Sequence, residues 1–106
     1  MRVIVLGGHG RVALLLSPLL VAAGHEVTAV IRNAAQTHDV AAAGASPLVA
    51  DLAESTVDDM AKYFAGQDAV VWSAGAGGGS PARTRAIDRD AAIRSMDAAL
   101  LAGVDR

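Results

Sequence analysis

The residues whose types and spacing could do chemistry stand near the start of the chain, in Gly7-Gly8-His9-Gly10-Arg11-Val12-Ala13. Gly7, Gly10 and Ala13 are spaced G-x-x-G-x-x-A, directly after the uninterrupted apolar run Val3-Ile4-Val5-Leu6. Such a run suits a strand buried on both faces. A glycine at position 7 lets the chain leave that strand in a tight turn. A glycine at position 10 has no Cβ, so an anionic group can approach the backbone where a helix begins. An alanine at position 13 is small enough for the helix to lie close on the strand. Together these suit the cradling of a pyrophosphate by helix-terminal N–H groups. The same residues also read as a tight strand-to-helix turn that holds no ligand.

Other reactive side chains form no constellation. His9, inside the glycine turn, reads as a loop residue or helix N-cap rather than a general base. Ser73 has no G-x-S-x-G elbow around it, so no nucleophilic triad is assigned. His25 and His38 have no metal-ligand spacing to each other or to a carboxylate cluster, and no metal is assigned. The cysteine count is zero, which excludes disulfides and thiolate chemistry and suits a reducing cytosol.

The elements that must position the glycine turn can be read from periodicity. A first helix is expected from about Gly10 to Ala23, with Val12, Leu15, Leu16, Leu19 and Leu20 as its sheet-facing stripe and a kink at Pro18. Gly24 ends it. A second strand spans Glu26–Ile31. Asn33 and Gln36 have the form of a capping box for a helix ending at Gly44. A third strand covers Ser46–Ala50, with Pro47 marking it as an edge. Ser55 with Asp58 would cap a third helix ending at Gly66. Asp68–Trp72 is the fourth strand, and Ser73–Pro81 is a glycine-rich linker. A last helix runs from about Ala82 to Ala102. Its charges Arg83, Arg85, Asp88, Arg89, Asp90, Arg94 and Asp97 read as a solvated face paired Arg85–Asp88 and Arg94–Asp97.

Strands alternating with helices at this spacing imply an α/β fold, a Rossmann-like three-layer parallel sheet of order 3-2-1-4 with right-handed crossovers. The loops after Leu6, Ile31, Ala50 and Trp72 then share one edge of the sheet. The chain has 106 residues, enough for one domain over residues 1–106 and no second one. It is 53% hydrophobic but only 3% aromatic, so the core must be aliphatic. A net charge of -2 gives no general attraction to nucleic acid or an anionic membrane. The apolar stretch Val12–Ala23 could pass for a signal-peptide core. It is too short to span a membrane, and the strands on either side of it favour the globular reading.

The succession LGGHGRVA, AGHEVTAVIRN, VADL, DAVVWSAGAG and TRAIDRDAAIRSMDAA resembles the NAD(P)-binding half of the atypical short-chain dehydrogenase/reductases. The branch it looks most like is the NAD(P)H-binding group with NmrA-like and biliverdin-reductase-B-like members. The resemblance implies that Gly7, Gly8, His9, Gly10, Arg11 and Val12 form the pyrophosphate loop. It puts Arg32 where an acid would hold the ribose of NAD and an arginine accommodates a 2′-phosphate, so NADP is expected over NAD. Asp51 and Leu52 match the pair beside the adenine, although Asp51 also reads as a plain strand end. Ala74 and Gly75 match the loop passing under the cofactor, and Asp88 falls where relatives carry an Asn or Asp. Gly-His-Gly replaces the more usual Ala-Thr-Gly. The family's Tyr-x-x-x-Lys pair and fifth strand would lie beyond Arg106, so no catalytic residue is assigned. The resemblance implies a cytoplasmic oxidoreductase acting on a small-molecule substrate, or a regulatory protein that binds NAD(P)H without turnover. The open edge of the fourth strand implies either a longer chain or pairing with another copy.

Overall fold

β1 (Arg2–Leu6), β2 (Glu26–Ile31), β3 (Ser46–Val49) and β4 (Ala69–Trp72) form one parallel sheet in the order β3-β2-β1-β4. The computed structural model describes residues 1–8, 11–73 and 90–104. His9, Gly10, Ala74, Gly75, Asp88, the glycine-rich linker and the first half of the last helix lie outside the described residues. β1 is flanked on both sides, with Leu6 opposite Val30 of β2 and Trp72 of β4. This accounts for its continuous apolar run, since neither of its faces meets water. β3 is an edge, as Pro47 requires.

Alternation along the strands splits the core in two. Val3, Val5, Val27, Ala29 and Ile31 face one layer with Ala13 and Val40, under α1 (Arg11–Ala22) and α2 (Thr37–Ala42). Ile4, Leu6 and Val30 face the other with Leu52, Met60, Phe64 and Ala98, under α3 (Val57–Phe64) and the last helix, α4 (Ala92–Ala102). The three-layer arrangement and strand order match the expectation.

Three local expectations are corrected. In α1 the residues turned to the sheet are Ala13 and Ser17, fully buried, with Leu14 and Leu20 packed beside them. Val12, Leu15 and Leu19 instead stand 67%, 68% and 68% exposed. The helix is apolar nearly all round, so its pattern does not choose a face; the close approach at its start does, and only small side chains fit beneath it. The capping box of α3 lies one residue later than expected. Thr56 Oγ1 accepts from Asp59 N and Thr56 N donates to Asp59 Oδ2, both at 3.0 Å. This register turns Met60 and Phe64 into the core. Asn33 does cap, accepting from Ala35 N at 2.9 Å, but it opens a 3-10 turn, Ala34–Gln36, that leads into α2, and Gln36 makes no return bond.

Candidate nucleotide-binding site

The C-terminal ends of β1, β2 and β3 bring three of the expected loops to one edge. Gly7 leaves β1 with φ +82°, a conformation that favours glycine. The N–H groups of Gly7 and Gly8 both donate to Val30 O, at 3.1 and 2.8 Å, which folds the turn back over β2. Gly8 is glycine for a separate reason. A Cβ on it would overlap Ala29 Cβ and lie 2.9 Å from Ala29 Cα. The G-x-x-G-x-x-A spacing does not single out Gly8; the signal that could have is the small residue facing it on β2, Ala29.

With the N–H groups of Gly7 and Gly8 committed to Val30, donors for an anion must come from further along. The first turn of α1, from Arg11, supplies backbone N–H groups without intrahelical partners, at the positive end of the helix dipole. Ala13 has no exposed surface and holds that turn against the sheet, as its size implied. Val12 stands exposed in the same turn. Among the described residues the arrangement has the form that suits a pyrophosphate: Gly7 and Gly8 at the carboxyl end of β1, and a helix N-terminus that opens at Arg11.

Arg32 comes directly after β2, exposed and, among the described residues, without an ion-pair or hydrogen-bond partner. The loop after β3 starts alongside, where Ala50 N donates to Ile31 O at 2.8 Å. Asp51 Oδ1 accepts from Ala53 N at 3.0 Å, and Asp51 O accepts from Glu54 N and from Ser55 Oγ. Leu52 is turned into the core with Ile4, Leu6 and Phe64. Asp51 thus shapes its own loop, and Leu52 anchors it.

Arg94 corrects the solvated-face reading of the last helix. It is half-buried, and its guanidinium reaches back to the loop after β3 instead of pairing with Asp97. Ser55, expected as a helix cap, is buried and bonds Asp51 O at 2.8 Å. A cleft lined by Arg2, His25, Glu26, Thr28, Ser46 and Gln67 lies at the opposite, N-terminal edge of the strands. Open α/β sheets bind their ligands at the carboxyl edge, so this cleft is not taken as the site.

Residues 7–106 match the model of a family described as NAD(P)H-binding. The UPF0659 protein C216.03 of Schizosaccharomyces pombe is 42% identical over 97% of this chain and 43% of its own length. A Bacillus halodurans structure described as an NAD-dependent epimerase/dehydratase superposes with a TM-score of 0.86 at 38% identity, covering 100% of this chain and 49% of that one. A short-chain dehydrogenase/reductase superfamily protein from Agrobacterium tumefaciens, with bound NAD, superposes with a TM-score of 0.80 at 25% identity, over 100% of this chain and 31% of that one. The chain thus spans about half the length, or less, of these relatives.

Proposed function

The chain belongs to the NAD(P)H-binding family, and on that premise we propose that it is the cofactor-holding part of an oxidoreductase or epimerase of the short-chain dehydrogenase/reductase type, with NADP preferred over NAD. The observation that carries the reading is the turn from β1 into α1. Gly8 has no room for a side chain over Ala29, and α1 has its N-terminus at Arg11, a few residues further along the chain. The turn and the first N–H groups of α1 would hold the pyrophosphate. Arg32 would face a 2′-phosphate, and Asp51 and Leu52 would flank the adenine.

The remaining residues of the reading are His9, Gly10, Arg11 and Val12 in the same loop, with Ala74, Gly75 and Asp88 toward the nicotinamide end. When bound, the nicotinamide supplies or accepts hydride; the chain's part is to bind and orient it and keep water away. The substrate is a small molecule. The B. halodurans relative's description points toward epimerisation or dehydration, and fold alone does not choose between these and net oxidation or reduction. The cysteine-free sequence supports work in the reducing cytosol.

The test is a parallel fluorescence titration with NADPH and NADH, repeated on Arg32→Gln. The unmodified protein should bind NADPH the more tightly. Arg32→Gln should lose about tenfold or more in NADPH affinity, the size of one charge-assisted contact, while NADH is little changed. Binding of neither cofactor would leave the turn a purely structural one. Equal losses for both would remove Arg32 from the phosphate.

A further inference from the structure

Arg94 sits on α4, about 40 residues along the chain from the loop it touches. Its Nε donates to Ser55 O at 2.9 Å, and its Nη2 donates to Leu52 O at 3.0 Å and Ala53 O at 3.2 Å. One planar guanidinium thus gathers three carbonyls from four consecutive residues, an arrangement that a lysine ammonium cannot reproduce from a single point. The same loop is tied from within by Asp51 and Ser55, and Ser55 Oγ lies 3.3 Å from Tyr63 Oη of α3. Loops at the carboxyl edge are ordinarily free to move and are hydrated. This one is held by a half-buried cation from an element that lies beyond β4 in the chain. It begins beside Arg32, at the end of the sheet where the adenosine half of a dinucleotide would lie.

We propose that Arg94 is a positioning residue for cofactor binding, holding the Asp51–Ser55 loop in the conformation that receives the adenine end. The inference rests on the cofactor reading above. It goes beyond that reading because Arg94 is not among the residues assigned to the cofactor and acts through the backbone of a loop that is.

The experiment uses the full chain and reads displacement of bound NADPH by two halves of the cofactor, ADP-ribose and nicotinamide mononucleotide. It compares the unmodified protein with Arg94→Ala and Arg94→Lys, at a temperature where circular dichroism shows each to be folded. Arg94→Ala should weaken ADP-ribose by about tenfold or more and leave nicotinamide mononucleotide unchanged. Added ethylguanidinium should restore part of the loss, and Arg94→Lys should fall between the two. Unchanged ADP-ribose binding in both variants would overturn the proposal. So would equal losses for the two fragments, which would mark a general loss of structure. If Arg94→Ala does not fold, the two fragments measured on Arg94→Lys decide in the same way. A failure of the unmodified protein to bind NADPH or ADP-ribose is a different result: it removes the cofactor reading itself, and this inference with it.

Discussion

Single residues set the site, and Gly8 is the sharpest case. Gly7 is glycine for its positive φ, whereas Gly8 is glycine because Ala29 lies against it. Gly8→Ala should therefore destabilise by about 1–3 kcal/mol, the usual cost of forcing a methyl group into a filled space. Ala29→Gly in the same chain should recover only part of this, because Ala29 Cα would remain 2.9 Å from the new methyl carbon. Denaturant melts of the single and double variants check both statements, and full recovery would show that the backbone approach is looser than described. Ser17 presents the opposite case. Its Oγ is buried on the sheet-facing side of α1 and has no hydrogen-bond partner among the described residues. Ser17→Ala should leave stability unchanged or raise it by about 1 kcal/mol, since an unsatisfied hydroxyl is removed without opening a cavity.

Among the elements, the caps and helix faces tested the reading of the sequence most severely. Two capping boxes, Ser55 with Asp58 and Thr56 with Asp59, are offset by one residue in the sequence, and composition does not choose between them. The tertiary structure does, because Ser55 is buried with its hydroxyl bonded to Asp51 O, which leaves Thr56 and Asp59 to form the box. The hydrogen bonds from Thr56 N–H and side chain to Asp59, with a smaller contribution from Lys62, hold the Asp59 carboxyl below its usual pKa. A carboxylate with a lowered folded pKa contributes stability above its unfolded pKa and loses it as pH falls through the folded one. Thr56→Ala should cost about 1 kcal/mol at neutral pH and raise the Asp59 titration only part of the way toward the ordinary carboxylate range, since the backbone N–H at position 56 still bonds its carboxyl. An NMR titration of Asp59 in both proteins measures the shift; an unmoved pKa would mean that the Thr56 hydroxyl is not among its causes and that the retained backbone N–H is enough. On α1, polar substitutions at Leu15 and Leu19 should change the chain's stability by about 0.5 kcal/mol or less, because both already face solvent. Ala13→Leu should destabilise strongly, because Ala13 has no exposed surface.

At the scale of the whole molecule, two apolar surfaces and the sheet edge at β4 have no cover among the described residues. Val12, Leu15 and Leu19 of α1 stand out on one side, and Ile93, Met96 and Leu100 of α4 are exposed too. β4 pairs with β1 alone. An open strand edge and exposed apolar helix faces each favour association. The 106-residue chain by itself should therefore self-associate at micromolar concentration in sedimentation velocity, and Leu15→Gln with Leu19→Gln should reduce this. A monomer under those conditions would overturn the expectation.

The sequence alone determined the parallel α/β sheet, its 3-2-1-4 order and the placing of a glycine turn at its carboxyl edge. These arise from local causes that a chain carries with it: a buried strand's apolar run, a turn that needs glycine, and helices bounded by caps. It also placed Arg32 and Asp51 at that edge, because strand ends can be read from the same pattern. The tertiary structure decided which side of the uniformly apolar α1 is buried, which of two overlapping capping boxes forms, why Gly8 is bare, and that Arg94 braces a distant loop. Each of these depends on which atoms come within a few ångströms across the sheet or between helices, a distance that residue spacing along one element does not encode. Arg94 shows the difference most plainly. Its spacing to Asp97 suggested a surface pair, while the carbonyls it binds lie about 40 residues earlier in the chain.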